Sequence, residues 1–138
     1  MVFGKELTYQ TTGFSSVTEI TRDVQEVVSD SGFVRGLASV FVIGSTGSIS
    51  TIEYEPALVA DLQDALEAFL SRTLRTRHSA TWGDDNGFSH LRATMMGPGI
   101  TVPFTDGELI LGTWQQIILI DHDNRPRSRR VFVQTVGE

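Results

Sequence analysis

From residue 88 onward the chain is a succession of short apolar runs divided by residues that turn the backbone. Segments 88–96, 100–104, 108–121 and 129–136 are separated by Gly97-Pro98-Gly99, by Asp106-Gly107 and by the stretch from Asp121 to Pro126. Asp-Gly is a strong hairpin signal, because both positions of a two-residue turn call for positive φ. Strands joined by such short turns meander, so the second half of the chain is expected to be largely antiparallel.

The first half adds helices to this plan. Residues 6–11 alternate as a strand with Leu7 and Tyr9 on one face. Ser16 and Glu19 have capping-box spacing, and Val17, Ile20, Val24, Val27 and Val28 follow at helical intervals, with Gly32 as a left-handed stop. Segment 37–43 is rich in β-branched and aromatic residues and reads as a buried strand. A small-residue loop over 44–48 leads to a strand over 49–54. Pro56 suits a first helical turn, and Leu58, Leu62, Leu66, Phe69 and Leu70 make a stripe ending near Arg72. Residues 73–87 lose the apolar period and form a long loop, a common place for function. The predicted order is strand, helix, strand, strand, helix and a four-strand meander: an α+β fold in one domain, residues 1–138.

At 138 residues such a domain buries roughly 70% of its unfolded surface and needs no covalent staple. It has none, since there is no cysteine. Disulfides, thiolate zinc sites, iron–sulfur clusters and cysteine nucleophiles are excluded together. The net charge of -6 opposes non-specific binding to nucleic acid. The apolar runs, such as 40–43 and 117–120, are too short to cross a bilayer, and the first six residues lack the apolar core of a secretory leader. A soluble cytoplasmic protein is expected.

Chemistry concentrates between residues 78 and 95. Read as a strand, 88–95 turns Leu91, Ala93 and Met95 to one face and His90, Arg92 and Thr94 to the other. An imidazole beside a guanidinium suits a phosphate, with or without a metal. Just upstream lie His78, Trp82, Asp84, Asp85, Asn86 and Ser89. Two histidines with carboxylates have the donor types for a divalent ion, whereas Asp84 and Asp85 serve equally as turn formers. The 44–48 loop either offers N–H groups to a phosphate or simply turns the chain, and it lacks the lysine and helix of a P-loop. Glu53 is a candidate base or ligand, or an exposed strand residue. Asp121-His122-Asp123-Asn124 fails as a calcium loop, since Pro126 and Phe132 stand where Gly and Glu are required. Arg125, Arg127, Arg129 and Arg130 would meet a substrate phosphate or make ion pairs between subunits. The Gly112 to Gln116 stretch suits a structural, interface or binding role alike.

Several of these segments together resemble the YjbQ-like proteins, also described as a secondary thiamine-phosphate synthase family. The resemblance is carried by residues 83–90, Gly97, Val102-Pro103, residues 106–109 and 111–117, the ending 129–134 with Gly137-Glu138, and residues 51–56, in colinear order. It implies a compact α+β fold with two main helices and a folded, largely antiparallel sheet of pseudo-barrel form, assembling as a homotrimer. It also implies a weak transferase activity joining a pyrimidine pyrophosphate to a thiazole phosphate, with a divalent metal, zinc or magnesium, in some members. On that basis Glu53, Asp85, Asn86 and His90 are the expected catalytic residues. Ser89, Arg92, Thr113 and Gln115 would bind substrate, and His78 and His90 would hold the metal. The chain departs from the resemblance at Gly44 and Phe88, where other members carry histidine. The alternative is a non-catalytic trimer that binds a small phosphorylated or anionic ligand; metal-dependent hydrolysis is a third reading.

Overall fold

The computed structural model describes residues 1–138. Eight strands and four helices follow in the order β1 (Val2–Thr11), β2 (Ser16–Glu19), α1 (Thr21–Ser31), β3 (Gly36–Ile43), β4 (Gly47–Glu53), α2 (Pro56–Phe69), α3 (Arg77–Trp82), α4 (Gly87–Met96), β5 (Gly99–Thr105), β6 (Glu108–Leu109), β7 (Gln115–Asp121) and β8 (Arg127–Gly137). The strands form two antiparallel sheets, β1-β8-β3-β5-β6 and β2-β7-β4. The result is the expected single α+β domain with a curled antiparallel sheet.

One core joins the layers. Val40, Val42, Val102, Val131 and Val133 of the larger sheet meet Ile49, Ile117 and Leu119 of the smaller one, with Ile20, Val24 and Val27 packed among them. Strict alternation along β3 explains how it is filled: Ala38, Val40 and Val42 are buried while Leu37, Ser39, Phe41 and Ile43 face outward. Inward alternation drives that face from water at roughly 25 cal/mol per Å² of apolar surface. The outward face is itself apolar in rows. Val2, Val136, Leu37 and Pro103 stand in one register row, and Phe132 and Phe41 in another.

Three sequence expectations are corrected. Residues 16–19 are not the start of a helix: they pair with 118–121 of β7, and α1 begins at Thr21 without a side-chain cap on Ile20. Strand pairing takes the segment, and Glu19 instead accepts the Thr21 N–H at 2.9 Å. Residues 108–121 are not one strand, because the backbone leaves the larger sheet after Leu109 and enters the smaller one at Gln115, turning through a Gly112 N–H bond to the Gln115 carboxamide. Residues 87–96 are a helix. Its buried positions Phe88, Ser89, Arg92 and Ala93 recur at helical intervals, and Leu91 and Met95 are exposed. Leu, Arg, Ala and Met favour helix, and this preference prevails over an accidental alternation of polar residues.

The start of α2 at Pro56 and the stop of α1 at Gly32 behave as read, while α2 ends at Phe69, short of Arg72. Glu55 caps α2, accepting from the N–H groups of Ala57 and Leu58, with Pro56 at the first helical position. Gly32 closes α1 at φ 69°. The 73–87 loop contains a further short helix, α3, capped by Thr76.

Candidate functional site

The corner between β7 and β8 anchors the site from below. Asp121, His122 and Asp123 are all buried. Arg129 reaches both oxygens of Asp121 at 2.8 Å, and Thr11 donates to the same carboxylate. Arg127 donates twice to Asp123 Oδ2, at 2.9 and 2.7 Å, and Thr46 and Asn86 donate to this carboxylate as well. Burial alone would raise both carboxyl groups. The hydrogen bonds outweigh it and hold both below the usual carboxylate range. These arginines are therefore committed within the chain, and Arg130 is paired with Glu6. That corrects the reading of Arg127, Arg129 and Arg130 as free for substrate or for a neighbouring subunit; of the four arginines, Arg125 alone makes no ion pair within the chain.

His122 and Arg92 complete this buried layer. His122 Nδ1 lies 2.7 Å from Ser15 Oγ and Nε2 lies 3.0 Å from Ser48 Oγ. Burial, then the nearby Arg92 charge, pushes the imidazole down to about 4, so it is neutral at pH 7. Arg92 is only 2% exposed. It donates to the Leu70 carbonyl, to Glu67 and to Ser15, and its guanidinium lies 5.0 Å over the Phe88 ring. This is a structural post between α2 and α4, not a hand open to substrate, and the expected pairing of Arg92 with His90 on one strand face is lost. Glu67, drawn into bonds from Ser71, Arg92 and Arg72 that outweigh its desolvation, is lowered to about 2.

Above that layer α3 and α4 form a cleft. Thr76 Oγ1 accepts the Ser79 N–H at 3.1 Å and so starts α3. A Cβ on Gly87 would fall 2.0 Å from this Oγ1, so only glycine lets the start of α4 approach α3 so closely. The approach brings His78 and His90 together, with ring centroids 4.5 Å apart and planes tilted by 59°. His78 Nε2 lies 3.3 Å from Asp84 Oδ2. The Asp84 carbonyl accepts from Asn124 at 2.8 Å, and Asn86 donates to Asp123 at 3.3 Å, so the loop ahead of α4 is tied to the buried corner.

The cleft has a volume of about 790 Å³ and is lined by Leu74, Arg75, Arg77, His78, His90 and Leu91 among others, with no carboxylate in its wall. Neither Arg75 nor Arg77 has an ion-pair partner. In a chain of net charge -6, two uncompensated guanidinium groups beside two imidazoles define a local anion-attracting surface. A second opening adjoins it across the shared wall of Leu74, Arg75, Thr76 and Ala80, and adds Arg72, Ser79 and Asp85.

The structure sorts the expected site residues into three places. His78 and His90 line the cleft, and Asp85 borders the adjoining opening. Asn86, Ser89 and Arg92 are buried supports; the Ser89 hydroxyl donates to the Asn86 carbonyl at 2.5 Å. Glu53, Thr113 and Gln115 lie elsewhere. Glu53 is exposed and stands opposite Gln115 in register, and Gln115 donates to Thr51. Gly47, at the other end of β4, shares a cavity wall with α4. Six residues of strand, about 20 Å, separate Glu53 from that end.

No group of three or more His, Asp or Glu side chains is arranged to hold a metal ion. His122 has both nitrogens bonded to serines, Gly44 offers no side-chain ligand, and Phe88 is buried in a stack with Phe14. Two imidazoles and one carboxylate do not make a closed divalent site, and no step below is routed through an ion. The signal missed in the sequence is the basic run Arg72, Arg75, Arg77 just ahead of His78, conspicuous in so acidic a chain.

Fold and cleft together define a small α+β protein with an open, basic, histidine-lined cleft. The chain belongs to the YjbQ-like UPF0047 family, whose model matches residues 5–138. It is 36% identical over 137 residues to a UPF0047 protein of Methanothermobacter thermautotrophicus, covering 99% of this chain and 94% of that one. A UPF0047 protein of Archaeoglobus fulgidus is 32% identical, covering 95% and 99%. Among solved structures, a YbjQ-like protein of unknown function from Sulfolobus solfataricus superimposes with a TM-score of 0.94 at 30% identity, over 100% of this chain and 99% of that one. A YjbQ/UPF0047 protein of Clostridium acetobutylicum gives 0.88 at 29% identity, over 96% and 99%. No helix of this chain is long and apolar enough to cross a membrane.

Proposed function

We propose that the cleft between α3 and α4 binds a small phosphorylated or otherwise anionic molecule without a resident metal. The observation that carries this reading is the pair of unpaired guanidinium groups, Arg75 and Arg77, beside the His78–His90 pair in one carboxylate-free wall. Arginine forks hold phosphate oxygens by paired hydrogen bonds, and Leu74 and Leu91 give the rest of the molecule an apolar seat. The open apolar face of the larger sheet, with Leu37 and Phe41 about half exposed, is a surface suited to burial against another copy of the chain, and the homotrimer that the resemblance implies is proposed to use it. Inorganic pyrophosphate is the probe. Calorimetric titration in the presence of a chelator is expected to show saturable binding that weakens about tenfold or more in Arg75→Gln/Arg77→Gln. Equal affinity in the double variant would remove the cleft from the account.

A second reading makes the same place a transferase site. The two adjoining openings favour it, because two substrates each carrying an anionic group would lie side by side across the Thr76 wall. Condensation of a pyrimidine pyrophosphate with a thiazole phosphate would form a carbon–nitrogen bond as pyrophosphate leaves with the bonding electron pair. The dispersal of Glu53, Asn86 and His90 over three places weighs for binding ahead of catalysis. Product formed from the two substrates under the titration conditions decides between the readings.

A further inference from the structure

The loop between β3 and β4 borders a second small cavity, which the cleft does not use. This cavity, about 280 Å³, opens between the loop and the C-terminal half of α4 and is lined by Gly44, Ser45, Gly47, Ala93, Thr94 and Pro98. Its wall carries no carboxylate. The backbone N–H groups of Gly44, Ser45 and Thr46 make no hydrogen bond within the chain, and the Ser45 and Thr94 hydroxyls are likewise unengaged.

Behind the loop stands Arg129, whose side chain is 7% exposed. Its Nε and Nη2 are committed to Asp121 and Thr46. Nη1 has no acceptor within the chain. It lies 2.9 Å from the point a Cβ on Gly44 would occupy, and outside the adjoining residues no other heavy atom comes within 4 Å of that point. Glycine at position 44, with φ 144°, thus leaves one arm of a buried guanidinium facing open space.

We propose that this loop is a second anion site, taking one small oxyanion such as a phosphate group. Successive unpaired backbone N–H groups make a concavity for anions, and a guanidinium arm adds a charge-assisted bond. Asp121 already holds the other side of Arg129, so the arm is oriented before any ligand arrives and little side-chain freedom is lost on binding. The site is separate from the α3–α4 cleft and does not depend on the reading given to it.

Titration of the full chain with inorganic phosphate, followed through backbone amide NMR signals, tests the site. The Gly44, Ser45 and Thr46 amides are expected to move saturably. Gly44→Ala, which puts a methyl against Nη1, is expected to weaken that response about tenfold or more, and Arg75→Gln/Arg77→Gln to leave it unchanged. Should Gly44→Ala lose its native spectrum, the rim variant Ser45→Ala/Thr94→Val keeps the question open to measurement, with an expected weakening of about threefold or more. Three amides that stay still, a response indifferent to the loop variants, or one abolished by the cleft variant would each overturn the proposal.

Discussion

Replacing Arg129 with methionine is expected to lower the unfolding free energy by about 3–5 kcal/mol at pH 7. Asp121 has no exposed surface, and Arg129 supplies two of its hydrogen bonds, with Thr11 and the Asp123 N–H supplying others. Removing the guanidinium strands a buried carboxylate that water does not reach, and it also releases Thr46, which Arg129 contacts at 2.5 Å. Replacing both partners, as in Arg129→Met/Asp121→Leu, is expected to recover much of the loss, because no charge is then left unpaired. Urea unfolding of the three proteins checks both statements. A single-variant loss below about 1 kcal/mol would place this pair among ordinary surface ion pairs.

Acid is expected to destabilise the chain in two stages, the first of them due to His122. Its folded-state value of about 4 lies below the unfolded imidazole value of 6.5. Between those two limits the unfolded chain takes up a proton that the folded chain refuses, so stability falls as pH falls, by about 3 kcal/mol over the full window. The second stage belongs to Glu67, Asp121 and Asp123. Their carboxyl groups are lowered from 4.5 for Glu67 and 3.8 for the aspartates, so their contribution is present above those values and is lost as pH drops further. His122→Gln keeps hydrogen-bonding capacity toward Ser15 and Ser48 but does not titrate. Its stability is expected to be flat between pH 6.5 and 5, where the parent already declines. Unfolding curves at pH 6.5, 5.5 and 4.5 separate the two proteins, and parallel slopes would assign the decline to other groups.

Much of this architecture is legible in the sequence, and the failures have definite causes. The strand at β3, the helix begun by Pro56 and the stop at Gly32 follow from alternation, ring geometry and positive φ, which are local properties. Helix α4 is misread because His90, Arg92 and Thr94 alternate by accident, while the positions that are buried, Phe88, Ser89, Arg92 and Ala93, follow the helical period. The error carries into the site: a strand would set Arg92 beside His90 in solvent, whereas the helix turns Arg92 inward onto Glu67 and Leu70. His78 and Asp85 stand in the polar stretch 73–87 that breaks the apolar period, and His90 follows just beyond it in α4. The distance from them to Glu53 and Gln115 is a property of the sheet and has no trace in spacing. Asp121 with Arg129 and Asp123 with Arg127 pair symmetrically about residue 125. That symmetry is visible in the sequence once the corner is known, and it turns an apparent arginine cluster into two internal ion pairs.

We propose that the cleft lined by His78 and His90 takes an anion without a metal, and side-chain NMR of the three histidines, during addition of inorganic pyrophosphate in the presence of a chelator, reads this at the site itself. The His78 and His90 imidazole signals are predicted to move together and to saturate, while those of His122, sealed between Ser15 and Ser48, stay in place. Imidazole signals that do not respond, or that respond only after zinc or magnesium is supplied, would contradict the account.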